Sequence, residues 1–181
     1  NAALEGDRFA PEALTEAELA TLAARDLAEA SEAVRADCPD WCAPLLEAAV
    51  GSNWVKEAAA LASRPPLDLR TNTLKSSRDK IVQLFTRKGA VPGELAPAAI
   101  RIPPVTGGGR HPNVQAEPAF QKGWFEVQDE GSQVVAALAG VSPGANVLDF
   151  CAGAGGKTLA MSAAMENTGQ IHAFDAEKQR L

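Results

Sequence analysis

The chain is 181 residues long, 46% hydrophobic and 22% charged, with a formal net charge of −6. That length allows one or two domains, and the balance is that of a globular chain, which sets aside disordered, fibrous and membrane classes. No apolar run is long enough to span a bilayer, no stretch reads as a secretory leader, and three cysteines without a framework point to a reducing, cytoplasmic setting.

Residues 1–66 read as a helical segment. Asn1-Ala2 stands where an initiating Met is expected, which suggests a piece cut from a longer protein. Thr15 with Glu18 forms a capping box opening a helix over 15–37. Leu19, Leu22, Leu27, Ala30 and Val34 recur on one face of that helix. Two shorter helices follow, over 41–50, closed by Gly51, and over 53–62, stopped by Pro65-Pro66. Trp41 and Trp54 read most simply as packing residues, with base stacking the weaker alternative.

Residues 67–123 read as a small α+β subdomain. Leu67, Leu69 and Thr71 alternate as a strand. Ser76 or Ser77 caps a helix that turns Ile81, Leu84 and Phe85 inward and ends at Gly89. A short strand follows over 99–102, then a flexible loop over 103–113 around Gly107-Gly-Gly109. In that loop Arg110 and His111 are exposed by default, with phosphate contact the alternative. Residues 124–181 supply a strand over 124–128, an apolar helix over 132–139, and a turn at Pro143-Gly144. Asp129 is placed to cap that helix.

Charge is unevenly spread. Residues 64–88 carry Arg64, Arg70, Lys75, Arg78, Lys80, Arg87 and Lys88 against two acids, while residues 1–63 are strongly acidic. Phosphate binding needs a local positive field and not a basic whole. A solvated helix face explains such a block equally well.

The most informative segment is Asp149-Phe-Cys-Ala-Gly-Ala-Gly-Gly-Lys-Thr158. An apolar run over 146–150 meets three glycines and then a helical stretch over 159–165, which reads as strand, tight turn, helix. A second run over 170–174 ends in Asp175, an acid placed to accept hydrogen bonds from a ribose diol. Gly156-Lys157-Thr158 fits the end of a P-loop, but Cys151 stands where its first glycine belongs. Gly153 and Gly155 fit a dinucleotide fingerprint, but Thr158 occupies its last position. The remaining pattern, D-x-x-x-G-x-G, resembles the first motif of class I methyltransferases, which bind S-adenosyl-L-methionine. A turn with glycines kept only for packing is the plainer alternative.

The longer string Val147-Leu-Asp-Phe-Cys-Ala-Gly-Ala-Gly-Gly-Lys-Thr158 is similar to the cofactor loop of the RsmB/NOL/NOP/Sun family of RNA cytosine-C5 methyltransferases. Gly123-Trp-Phe-Glu-Val-Gln-Asp-Glu-Gly-Ser-Gln133 resembles that family's lead-in segment, which packs against the cofactor domain. Leu69-Arg-Thr-Asn-Thr-Leu74 resembles the strand that opens its RNA-binding subdomain. The resemblance runs over 38–181, with one departure, Ala154 where the family often has proline. It implies an α/β fold: a helical N-terminal segment, a small α+β RNA-binding subdomain, and the first part of a Rossmann-like methyltransferase domain.

The resemblance further implies S-adenosyl-L-methionine as cofactor, held by Cys151, Ala152, Gly153, Ala154, Gly155, Gly156, Lys157 and Asp175. It implies RNA, ribosomal RNA in particular, as partner of Arg70, Lys75, Arg78 and Lys80. In that family one cysteine attacks carbon 6 of cytosine and a second helps remove the proton at carbon 5. Both lie in motifs expected beyond Leu181, so no catalytic residue is assigned here. Cys151 as nucleophile is the less favoured alternative, because its loop would also have to hold the cofactor. Cys38 and Cys42 lack two further ligands, and no metal is expected. Two other readings stay open: a nucleotide-dependent α/β enzyme using Gly156-Lys157-Thr158, and a non-catalytic RNA-binding or assembly module.

Overall fold

The computed structural model describes residues 12–105 and 109–180. The tip of the 103–113 loop lies outside the described residues. The chain divides into two compact units, Asn1–Ser63 and Arg64–Leu181.

In the first unit Thr15 caps α1 (Glu16–Ala23), and the Glu18 carboxylate accepts the Thr15 N–H at 2.8 Å. The single helix expected over 15–37 is broken. Asp26 Oδ1 accepts the Ala28 N–H at 2.8 Å and starts a 3₁₀ turn at Leu27–Glu29. Ser31 then caps α2 (Glu32–Arg35) through the Val34 N–H. Short polar side chains of this kind compete with the i−4 ladder, and here they restart the chain twice. Leu19, Leu22, Leu27 and Val34 are all exposed, so the expected apolar face does not form. α3 (Ala43–Val50) ends at Gly51, whose φ of +68° suits a residue without Cβ. α4 (Trp54–Ala62) follows, and Trp54, Ala36 and Ala58 form the unit's core with Leu46 and Val55 against them. Trp54 is therefore a packing residue, whereas Trp41 is 70% exposed and packs no core.

In the second unit β1 (Leu67–Thr71) is a central strand. It pairs antiparallel with β3 (Ala99–Ile102) on one side and with β4 (Phe125–Val127) on the other. The two-residue β2 (Val91–Pro92) pairs antiparallel with β3 on its far side. α5 (Arg78–Leu84), capped by Ser77, buries Ile81, with Phe85 buried just beyond its last residue, and the chain turns at Gly89 with φ +75°. Leu84 points outward, because Ile81 and Phe85, four apart, already define the buried stripe. Leu69, Ile81, Phe85, Ile100, Ile102 and Phe125 make the core, with Phe85 edge-on to Phe125 at 5.4 Å. α6 (Pro118–Gln121) leads into β4, and the strand expected over 124–128 thus becomes the edge of this first sheet.

Successive β1 residues point to opposite faces. Leu69 enters the core, while Asp68 and Arg70 are buried on the side covered by α7 (Glu130–Leu138), which Asp129 caps. The Thr71 hydroxyl is buried without a hydrogen-bond partner among the described residues. Thr71→Val removes an unsatisfied buried group at nearly constant shape. It should raise the free energy of unfolding by about 1 kcal/mol, read as a higher urea midpoint.

β5 (Asn146–Asp149) and β6 (Gln170–Ala173) form a separate two-stranded parallel sheet, joined through α8 (Gly156–Ala164). α7 and α8 lie side by side, and Ala136, Ala137, Ala160, Ala163 and Ala164 line a cleft of about 220 Å³ that reaches Arg70 and Thr71. Beyond the strand ends Phe150 and Phe174 stack at 5.2 Å, yet they are 65% and 49% exposed. No described helix is long and apolar enough to cross a membrane.

Candidate functional site

The turn between β5 and α8 is built by backbone bonds. Gly155 N–H donates to the Ala152 carbonyl at 2.9 Å, and Ala152 N–H donates to the Phe174 carbonyl at 2.9 Å. Gly153 and Gly155 have φ of +53° and +79°. A β-carbon at either position would meet nothing within 4 Å, so both glycines border open space. Asp149, at the end of β5, accepts the Thr158 hydroxyl through Oδ2 at 2.6 Å and ties the strand to the first turn of α8. No side chain caps α8, whose N-cap is Gly155, and the first N–H groups of a helix carry partial positive charge.

Asp175 closes the turn from the β6 side. Its Oδ2 accepts the Gly153 N–H at 2.8 Å, and its Oδ1 accepts the Glu177 N–H at 2.9 Å. The bond from Glu177, then that from Gly153, holds this carboxyl below the usual carboxylate range. Each carboxylate oxygen keeps a further lone pair, so the group can still accept from a bound diol. The structure therefore brings residues 151–157 and Asp175 together. Cys151 is exposed on that loop, and Lys157 is exposed on the first turn of α8.

The basic residues are not gathered in the same way. Lys75 Nζ donates to the Lys122 carbonyl at 3.2 Å, and Lys80 Nζ lies 3.8 Å from the centre of the Trp124 ring. Lys122 Nζ stands 5.4 Å from the same ring, so the sequence reading missed Lys122 and Trp124 as parts of this face. Arg78 opens α5 nearby in sequence. Arg70 is different: it is 5% exposed, and its Nε donates to Gln128 Oε1 at 2.7 Å. Burial pulls its pKa down, against the pull of Glu126. A guanidinium buried against a glutamine is a structural group, and it does not share the surface of the lysines.

A second buried network was not foreseen. Asp68 accepts Arg101 Nε and Nη2, both at 2.8 Å, and the Glu130 N–H at 3.0 Å. Glu130 Oε1 accepts the N–H groups of Leu95 and Ala96 at 2.8 and 3.1 Å. These partners stand 33 to 62 residues apart, and no local pattern announces such pairs.

Cys38 and Cys42 are half-buried free thiols, and desolvation, then Cys42, raises the Cys38 pKa. A thiol held in its protonated form is a poor nucleophile and a poor metal ligand. No group of three or more His, Cys, Asp or Glu side chains gathers as for a metal among the described residues.

The model of the ferredoxin-like domain of RsmF/B-like methyltransferases matches residues 38–105, and that of the 16S rRNA methyltransferase RsmB/F matches residues 136–181. Ribosomal RNA small subunit methyltransferase B of Pseudomonas putida is 34% identical over 155 residues, 84% of this chain and 34% of that protein. A methyltransferase homolog protein from Pyrococcus horikoshii superposes with a TM-score of 0.66 at 25% identity, over 82% of this chain and 48% of that one. The crystal structure of NSun6 from Pyrococcus horikoshii with SFG shares the fold, with a TM-score of 0.67 at 16% identity over 78% of this chain and 60% of that one. The chain spans about a third of the length of the curated relatives it matches. Both matched segments are of one kind of methyltransferase, and the chain belongs to the RsmB/F-like methyltransferase family.

Proposed function

We propose that the protein containing this chain transfers a methyl group from S-adenosyl-L-methionine to carbon 5 of a cytosine in RNA. The observation that carries the reading is the bend at Gly153 and Gly155, open to space on one side and closed by the Asp175 carboxylate. The residues present suit this cofactor. Gly153, Gly155 and the neighbouring N–H groups offer a close backbone approach for the methionine portion, with Cys151, Ala152 and Ala154 shaping the wall. Asp175 offers acceptors for the ribose hydroxyls. Gly156 and Lys157 open the uncapped α8, where backbone N–H groups and a cation favour a carboxylate. When bound, the cofactor supplies an electrophilic methyl group; the chain's own part is to seat and orient it.

The name of the Pseudomonas putida relative supports ribosomal RNA as the substrate, which would set the protein at work in the cytoplasm. Lys75, Arg78 and Lys80, with Lys122 beside them, supply the positive face for its phosphates. Arg70 is left out of that face because its guanidinium is buried against Gln128.

The test uses the intact protein with small-subunit ribosomal RNA and S-adenosyl-L-methionine labelled on its methyl group. Label should appear as 5-methylcytidine. The pair Lys75→Glu and Lys80→Glu should weaken RNA binding by about tenfold or more at low salt and leave cofactor affinity unchanged. Thermal stabilisation by ATP or NAD in place of S-adenosyl-L-methionine would overturn the enzyme assignment. RNA retention with no cofactor binding would leave only an RNA-binding module.

A further inference from the structure

We infer that Gln128 is a positioning residue for the glycine turn, held in place by the buried Arg70; this rests on the cofactor role proposed above for that turn. Arg70 has only donors, so the Gln128 atom facing its Nε at 2.7 Å must be the carbonyl oxygen Oε1. That fixes the amide's orientation and turns its Nε2 group the other way. Nε2 then meets the start of α8: a β-carbon at Gly156 would lie 3.3 Å from it. The rest of Gln128 is equally tied down. Its N–H donates to the Asp68 carbonyl at 3.1 Å, and its own carbonyl accepts Gln133 Nε2 at 2.9 Å.

The outcome is a strut from β1, through Arg70 and Gln128, to the first residue of α8. Gly156 follows the glycines of the turn directly, so the strut sets where their N–H groups point. It also supplies the reason for glycine at 156, which lacks the positive φ of Gly153 and Gly155. The need there is space for an amide and not backbone freedom. The burial of Arg70 is thereby accounted for as well.

The test is a double-mutant cycle in the intact protein, with cofactor affinity measured by calorimetry. Gln128→Ala and Gly156→Ala should each raise the S-adenosyl-L-methionine Kd and KM by about tenfold, with kcat less affected. The double variant should be no worse than about the larger single effect, because both act through one contact. Arg70→Lys, which keeps a donor to Oε1, should retain most of the affinity, whereas Arg70→Met should lose it. Independently of any ligand, Gln128→Ala should speed hydrogen exchange at residues 153–157. Multiplying effects in the double variant, or unchanged affinity in both singles, would overturn the inference. If the unmodified protein binds no S-adenosyl-L-methionine, the cofactor reading fails, and the exchange measurement still decides whether Gln128 holds the turn: unchanged exchange would overturn the strut.

Discussion

Asp175→Ala in the intact protein should weaken S-adenosyl-L-methionine binding by about 100-fold, the loss of two charge-assisted hydrogen bonds to a ribose diol. Part of the loss comes through the turn itself, because the variant also removes the acceptor for the Gly153 N–H. Asp175→Asn separates the two contributions: it keeps an acceptor for Gly153 and gives up the charge. The backbone bonds from Glu177 and Gly153 lower this carboxyl's pKa. The sign follows directly. The ionised form is favoured in the folded chain, so its contribution is complete above the ordinary aspartate value and fades as pH falls through the lowered one. Cofactor affinity should therefore be flat near neutrality and decline only in acid. Calorimetry that finds the Kd of Asp175→Ala unchanged would remove this residue from the site.

Asp68→Ala should cost about 3 kcal/mol of folding stability, measured by urea unfolding of the intact protein. Asp68 is buried, and it takes two bonds from Arg101 and one from the Glu130 backbone. Its removal leaves the Glu130 N–H without an acceptor and leaves Arg101 with Glu130 Oε2 alone, at 3.5 Å. Arg101 is partly exposed, so solvent recovers some of that loss and keeps the figure below the upper range for a fully buried pair. The Arg101 bonds lower the Asp68 pKa. The stability they supply is thus present above the ordinary aspartate value and lost as pH falls through the lowered native value. The variant should show a flatter acid limb than the unmodified protein. A loss well under 1 kcal/mol would show that the network is dispensable.

The turn chemistry was readable because it is local. Gly51, Gly89 and the capping residues Thr15, Ser77 and Asp129 act on neighbours within a few positions, and each stands where the sequence pattern put it. The strand, bend and helix around Gly153, and the acid after the next strand, were readable for the same reason. What failed needed knowledge of distant partners. The helix over 15–37 looked continuous by apolar spacing, yet Asp26 and Ser31 divert the backbone to their own oxygens. Arg70 counted as one more positive charge until Gln128, 58 residues on, took its Nε. Asp68, Arg101 and Glu130 carry no motif at all, and only the pairing of β1 with β3 and the seat of α7 bring them together.

The rings of Phe150 and Phe174 have a practical consequence. Two phenyl groups stacked on each other, each about half exposed or more, make an adhesive spot beside the two-stranded sheet. Prepared by itself at high concentration, this stretch should clump and cloud, and any partner that shields the spot should keep the solution clear.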